Sequence, residues 1–271
     1  WRLSSITTAL LTAVGEELPP TVGGHKGPGS PWFVVKGLDC AEATVRHPEV
    51  ERIARSELLL VVRGRFFSSG TLINNSRLDG DPLVLTAAHC LNNSYNCRDL
   101  DYVRQSAEQS VFYFNYFSPT GDPLINGIEE QTLAGAELVA YNEEHDMCLL
   151  RITGVRPDVP QGQCPIPQRY RPYLAGNAER DFPAPVIGIH HPQASVRRYN
   201  RADEKPPIES YDMVSVPVQW INSHLHIKKW DVGTTAGGSS GSGLFDKNHH
   251  LIGALTGGSS YCDTPYNDYY Y

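Results

Sequence analysis

Residues 234–246 have the sequence TTAGGSSGSGLFD, and this stretch decides the predicted fold. Glycines on both sides of Ser240 allow the tight turn that exposes a nucleophilic hydroxyl. In such a turn the backbone N–H groups of Gly238 and Ser240 would converge on a developing oxyanion. A flexible Gly/Ser linker is the alternative for this composition, but the segment runs directly into the strand-like residues LFD and LIGAL. The stretch therefore predicts a serine nucleophile on a turn before a strand.

A second motif, LTAAHC at residues 85–90, places a histidine after a strand that ends in small residues. A general base must be held rigidly while it faces a cleft, and a strand end packed through alanines meets both needs. A single histidine is more often a core residue that satisfies one hydrogen bond, but the complete TAAHC string favours a catalytic base. We therefore predict that His89 is the general base.

The third motif is HDMCLLRI at residues 145–152. An aspartate before an apolar strand is, on its own, more often a solvated residue at the strand start. Here Asp146 is expected to accept a hydrogen bond from the far imidazole nitrogen of His89, which fixes the tautomer and stabilises the imidazolium. Asp146 is thus predicted to orient the base without accepting the proton itself.

The remaining pattern predicts an all-β fold. Turn-rich segments separate short apolar runs, and only residues 49–57 suggest a helix. A polar, proline-rich stretch from about 154 to 182 divides the runs into two sets, which two packed barrels would accommodate. The runs are residues 58–66, 82–88, 111–117, 137–141, 185–191, 213–220, 225–230 and 251–258.

Domain boundaries follow from the same pattern. Residues 1–35, which include a stretch rich in proline and glycine, are predicted to be an N-terminal extension and linker. Residues 36–271 are predicted to be one domain, with barrels at about 36–165 and about 166–271. The opening residues make a poor signal peptide, so we expect the chain to be part of a longer protein.

Composition narrows the partners and the compartment. A net charge of -7 argues against nucleic acid or an anionic membrane as partner and suits a cationic substrate. No apolar run approaches the roughly 18 residues of a spanning helix. Six cysteines without a CxxC pair favour an oxidising compartment over a zinc site. We expect a secreted or periplasmic monomer that uses no metal or other cofactor.

The three motifs together resemble the chymotrypsin-like serine proteases, in the chain order His, Asp, Ser. The bacterial lysyl endopeptidase branch is more similar still, over most of residues 40–271. The segments that carry this resemblance are SSGTLINNS, VFYFNY, VIGIHHP, HLHIKKW, GGSSGSGLF and the tail from Cys262 to Asp268.

The resemblance implies two six-stranded antiparallel β-barrels, with the family's closing strand and terminal helix missing after Tyr271. It makes Thr256, Gly257 and Gly258 the edge segment that pairs with an extended peptide substrate. Before the nucleophile stands Ser239, where animal digestive proteases carry an aspartate that receives the charged N-terminus formed by zymogen cleavage. We therefore expect other hydrogen bonds to hold the oxyanion turn.

Specificity is also implied by the resemblance. The acid of trypsin-like pockets lies six residues before the nucleophile, and Thr234 stands there. The lysyl branch instead places its acid after the last cysteine, which points to Asp268, with Asp263 as the rival. A buried carboxylate there would bind a substrate ammonium and penalise uncharged side chains. The branch also sets an aromatic ring and a histidine beside its catalytic histidine; Trp220 can supply the ring, but Thr256 stands where the histidine would be.

The cysteines match the resemblance in part. It implies a bridge between Cys40 and Cys262. Cys90 also matches, but Ser68 takes the place of its usual partner, and Cys97 is the nearest alternative. Cys148 is expected to be a buried free thiol or to pair with Cys164. The adjacent histidines at 190 and 191 suggest a metal only weakly, because no third ligand stands at a recognisable spacing.

The sequence thus predicts a serine endopeptidase that cuts polypeptides after basic residues, lysine first. A broader Lys/Arg protease is the alternative within the class, and a non-catalytic binding module on the same fold is the alternative outside it. The complete set of His89, Asp146 and Ser240 disfavours the binding module.

Overall fold

A computed structural model describes most of the chain after residue 39. It covers residues 40–92, 99–122, 131–155, 160, 163–176, 181–212 and 219–271. The predicted extension at 1–35, its boundary with the domain and Cys97 lie outside the described residues. The domain boundaries therefore stay predictions.

The described residues form short antiparallel strands and very little helix. The strands are β1 (Glu42–Ala43), β2 (Glu57–Val62), β3 (Phe66–Ile73), β4 (Leu83–Ala87), β5 (Ser110–Tyr113), β6 (Thr132–Ala134), β7 (Ala136–Asn142), β8 (Met147–Ile152), β9 (Val186–His190), β10 (Arg198–Ala202), β11 (Ile208–Asp212), β12 (Gln219–Lys229), β13 (Gly243–Phe245), β14 (Leu251–Gly258) and β15 (Tyr266–Tyr270). The α-helices are α1 (Glu51–Ala54) and α2 (Leu100–Glu108), and single 3-10 turns span Thr44–Arg46, Pro48–Val50, Ala88–Cys90, Glu143–His145, Gln168–Tyr170 and Pro192–Ala194.

The first sheet contains the His89 and Asp146 motifs. Its strand order is β6-β5-β2-β3-β4-β8-β7, and every neighbouring pair is antiparallel. Strand β2 has the sequence ELLLVV and is buried at every position, as expected for a strand covered on both faces. Strand β4 pairs with β8 so that Ala87 lies opposite Met147. This register brings the residues that follow β4 next to those that precede β8.

The second sheet contains the nucleophile turn and the tail of the chain. Its order is β1-β10-β9-β13-β14-β15-β12-β11. Trp230, Leu244, Leu255 and Tyr270 pack together in its core. The two sheets meet through the buried Glu57, whose Oε2 accepts hydrogen bonds from Thr71 and, at 3.4 Å, from the backbone of Gly243. The nucleophile turn consequently lies against the first sheet.

The cysteines confirm one prediction and correct another. Cys40 and Cys262 form a disulfide across a sequence separation of 222 residues. The predicted bridge from Cys90 to Cys97 is wrong: Cys90 is a free thiol, and its Sγ lies near the imidazole of His89. Cys148 and Cys164 are also free thiols, so the buried-thiol alternative for Cys148 holds.

The fold confirms the all-β prediction and differs in detail. The described residues give sheets of seven and eight strands, since short strands such as β1 and β6 join the edges. The predicted helix at 49–57 shrinks to one turn at α1, because Glu57 already begins the buried strand β2. Helix α2 was not predicted, although Asp99 caps it by accepting hydrogen bonds from two backbone N–H groups. Within the described residues, every helix is too short or too polar to cross a bilayer.

Candidate active site

His89 and Asp146 meet at the ends of two paired strands. The imidazole Nδ1 lies 2.8 Å from Oδ2 and 3.1 Å from Oδ1 of Asp146. The same carboxylate accepts a hydrogen bond from the backbone N–H of His89, and the carbonyl of Asp146 accepts one from Ala88. Asp146 is only 4% exposed and adopts a left-handed backbone conformation, which aspartate tolerates better than most residues. The carboxylate therefore fixes the proton on Nδ1 and leaves Nε2 free to accept one.

The surroundings of His89 also set its proton affinity. Burial of the ring disfavours the imidazolium, but the charge of Asp146, the neighbouring Cys90 thiol and the hydrogen bonds that both make outweigh burial. Together they raise the pKa of His89 well above its usual value. The Sγ of Cys90 lies 3.8 Å from Nε2. This thiol beside the base was not predicted from the sequence.

The turn that carries Ser240 is tied to strand β3. The backbone N–H of Ser69 donates to the carbonyl of Ser240, and its hydroxyl donates to the carbonyl of Gly238. Gly238 and Gly241 have φ of 92° and 80°, conformations that only glycine adopts readily. A Cβ at Gly241 would lie 2.8 Å from the backbone nitrogen of Ala87. The turn is therefore packed directly against the end of β4, just before His89.

The third member of the predicted triad thus lies beside the other two. Within the described part of the chain, the hydroxyl of Ser240 and Nε2 of His89 do not form a hydrogen bond. Catalytic hydrogen bonds are often long without substrate and tighten in the complex. The packing of the Ser240 turn against the end of β4 places the three residues in one region of the structure.

Among the described residues, the carbonyls of the turn are hydrogen-bonded and two of its N–H groups are not. The carbonyls of Gly237, Gly238 and Ser240 each accept a hydrogen bond from β3 or from residue 193. Among the described residues, no hydrogen-bond acceptor faces the N–H of Gly238 or Ser240. A pair of free N–H groups beside a serine is the donor arrangement that stabilises an oxyanion.

Asp268 lies between residues 230–235 and residues 258–260, the two segments that would form the walls of a specificity pocket. Its side chain is 1% exposed, and its Oδ2 accepts hydrogen bonds from Trp230 Nε1 at 2.6 Å and from Thr235 Oγ1 at 2.7 Å. Burial raises the pKa of Asp268 to about 6, although the hydrogen bonds from Trp230, Thr235 and Ser260 act against the rise. The rival acid, Asp263, is exposed.

The neighbours of Asp268 pack closely around its carboxylate. A Cβ at Gly258 would lie 2.3 Å from Oδ1, so only glycine allows the carboxylate to sit there. Thr234 contributes no charge; its hydroxyl lies 2.6 Å from that of Ser260 and links the two walls. Among the described residues, Asp268 is consequently the one buried carboxylate that contacts both walls.

The predicted edge segment is available to an extended peptide. Strand β14 pairs with β15 up to Gly258, but on its other side β13 reaches only Ala254. Among the described residues, Thr256, Gly257 and Gly258 have no strand on that side. An open edge next to the nucleophile is where a substrate strand can add to the sheet.

An imidazole lies beside Thr256, which stands where the resemblance places a histidine. Nε2 of His224 is 3.1 Å from Oγ1 of Thr256, and the ring stands edge-on to Trp220 at 5.2 Å between centroids. Trp220 in turn donates from Nε1 to the carbonyl of Glu144, two residues before Asp146. His224 was missed because it lies on another strand, β12, 32 residues away from Thr256.

Comparison with curated proteins identifies a relative of this chain. Lysyl endopeptidase of Pseudomonas aeruginosa is 27% identical over 217 residues, which cover 76% of this chain and 41% of that protein. The chain thus spans less than half of the length of that relative.

Solved structures show the same fold. An inactive form of Rv3671c from Mycobacterium tuberculosis aligns with a TM-score of 0.50 and 18% identity, over 85% of this chain and 87% of its own. The thermostable serine protease AL20 from an extremophilic microorganism gives a TM-score of 0.50 and 17% identity, over 80% and 90%. These likenesses concern the fold alone, which is chymotrypsin-like.

A match to a protein family over most of the chain identifies the family of this protein. The family described as lysyl endopeptidase, C-terminal domain, matches residues 37–271. The match includes both sheets, the paired His89 and Asp146, the Ser240 turn and Asp268. The chain belongs to the lysyl endopeptidase C-terminal domain family.

Proposed function

We propose that this protein is a secreted serine endopeptidase that hydrolyses peptide bonds after basic residues, with lysine preferred. The observation that carries the proposal is the Asp146–His89 pair packed against the turn of Ser240. The disulfide between Cys40 and Cys262 supports an oxidising compartment.

The chemistry follows from the roles of these groups. His89 Nε2 takes the proton of the Ser240 hydroxyl as its oxygen attacks the substrate carbonyl. The N–H groups of Gly238 and Ser240 stabilise the oxyanion, and His89 then passes its proton to the leaving amine. Water, deprotonated by the same imidazole, hydrolyses the acyl-enzyme and restores the hydroxyl. Asp146 stays ionised throughout and stabilises the imidazolium.

The basic preference rests on Asp268. A buried carboxylate at the base of the pocket pairs with a substrate cation, and its charge is left uncompensated when the side chain is neutral or acidic. We therefore expect lysyl esters to be cut at least about 10²-fold faster, in kcat/KM, than glutamyl esters. A panel of lysyl, arginyl, leucyl and glutamyl esters measures this. Equal rates for lysyl and glutamyl esters would overturn the basic specificity, and equal rates for lysyl and arginyl esters would broaden it to both cations.

The pH dependence of kcat/KM should show the titration of two groups, His89 and Asp268. His89 must be neutral, and its pKa is raised, so activity is present above that pKa and is lost as pH falls through it. Asp268 must be ionised to bind lysine, and its pKa of about 6 means that this binding is lost as pH falls through that value. Below both pKa values, log kcat/KM for a lysyl ester should therefore fall with a slope approaching two, and for a leucyl ester with a slope of one. Identical slopes for the two esters would show that Asp268 does not contact the substrate.

A further inference from the structure

Ser239, the residue before the predicted nucleophile, is held by a closed set of hydrogen bonds. Its backbone N–H donates to the carbonyl of Ala236, and its carbonyl accepts from Ser242. Its hydroxyl oxygen accepts a hydrogen bond from the N–H of Ala236 at 3.2 Å and lies 2.8 Å from Nδ1 of His190. Ser239 is fully buried, so these contacts fix both its side chain and the backbone on either side of it.

His190 reaches Ser239 from the end of strand β9. Its side chain is fully buried, and burial, with the nearby positive charge of Arg198, lowers its pKa to about 3. The imidazole ring is therefore neutral at any pH well above this value. The Ser239 oxygen accepts from Ala236 and has a second lone pair and a proton left, so it can pair with either neutral tautomer of His190 at Nδ1.

The residues just after His190 bind the same turn through their backbone. The N–H of His191 donates to the hydroxyl of Ser69, which in turn donates to the carbonyl of Gly238. The N–H of Gln193 donates to the carbonyl of Gly237 at 2.6 Å. The segment from His190 to Gln193 thus contacts Gly237 and Ser239 directly and reaches Gly238 through Ser69, and the contact with Ser239 is made by the side chain of His190.

We propose that His190 is a positioning residue that, through Ser239, holds the nucleophile turn in the conformation in which the N–H groups of Gly238 and Ser240 converge. This inference rests on the proposed function. A neutral hydrogen bond between two buried side chains takes the place of the ion pair that a charged N-terminus makes with an aspartate at the position of Ser239. The oxyanion turn is consequently formed by the fold itself.

A double-mutant cycle on His190 and Ser239 tests this. We expect His190→Leu and Ser239→Ala each to lower kcat for a lysyl ester by about 10²-fold, because displacement of a reacting group by about 1 Å has an effect of that size. KM should change by less than about threefold, and the double variant should be no slower than the slower single variant, since both remove one interaction. Labelling of Ser240 by an organophosphonate should slow by the same factor.

Two further measurements separate positioning from folding. His190→Asn keeps a polar atom at the same distance along the side chain as Nδ1 and should recover most of kcat, even if His190→Leu fails to fold. The inhibition constant of n-butylamine, a probe of the cation pocket, should be unchanged in every variant that folds.

These experiments distinguish a failure of the proposed function from a failure of the inference on His190. An inactive wild-type protein that does not react with the phosphonate overturns the proposed function and this inference with it. An active wild type with an unaffected Ser239→Ala variant overturns the inference alone, as does an unaffected His190→Leu variant or additive effects of His190→Leu and Ser239→Ala. A large fall with no recovery in His190→Asn would assign His190 a packing role and would also overturn it.

Discussion

Replacement of Ser240 by alanine is expected to lower kcat/KM for a lysyl ester by about 10⁶-fold, the size seen when the nucleophile of a serine protease is removed. The hydroxyl is the group that forms the acyl bond, so nothing else in the site can take over the covalent step. Substrate binding should persist because Asp268 and the β14 edge are untouched. The measurement is ester hydrolysis together with organophosphonate labelling, which should disappear.

His89→Ala should produce a loss of similar size, and the double variant should lose little more, because base and nucleophile act as one unit. Ser76→Ala, at an exposed serine remote from the turn, is the matched control and should keep wild-type rates. A loss in kcat smaller than about 10⁴-fold would contradict the triad mechanism, and Ser242 of the same turn would then be the first candidate for another nucleophile.

The parts of the site that the sequence predicts are those defined by local motifs. His89, Asp146 and Ser240 each stand in a short string whose residue types suit one chemical task. The structure places each on the expected turn or strand end. Asp268 was predicted from its place after Cys262, and its burial agrees with that choice over Asp263.

Contacts that depend on how distant strands align could not be predicted. His190 and Ser239 are 49 residues apart, and their hydrogen bond exists only because β9 pairs with β13, which follows the turn. His224 reaches Thr256 for the same kind of reason. One signal was available in β3, where buried hydroxyls interrupt an apolar strand: such groups need partners, and Ser69 finds them in the Ser240 turn.

The second large effect is expected at Asp268, where asparagine should lower kcat/KM for lysyl esters by about 10²–10⁴-fold, the value of a buried ion pair that loses one partner. Trp230 and Thr235 both donate to Oδ2. The amide oxygen of asparagine is expected to occupy that position, so its NH₂ group takes the place of Oδ1. A donor there repels the substrate ammonium, and leucyl esters should be cut at the wild-type rate or faster.

Stability gives a second, independent expectation for the same variant. A carboxyl whose pKa is about 6 when folded and lower when unfolded holds its proton more tightly in the folded protein. It therefore destabilises the fold at pH values above both pKa values, and the penalty disappears as pH falls below the unfolded value. Asp268→Asn should be at least as stable as the wild type at pH 8, measured as Tm.

A carboxylate kept for structure would behave in the opposite way. Its replacement would lower Tm and would reduce activity toward lysyl and leucyl esters alike. Asp263→Asn is the matched control, because it makes the same chemical change at an exposed aspartate beside Cys262 and should alter neither property. Loss of lysyl preference in Asp263→Asn, with Asp268→Asn unaffected, would reverse the assignment. A buried charge that weakens the fold is consistent with the proposed role of Asp268, in which the carboxylate binds the cation of the substrate.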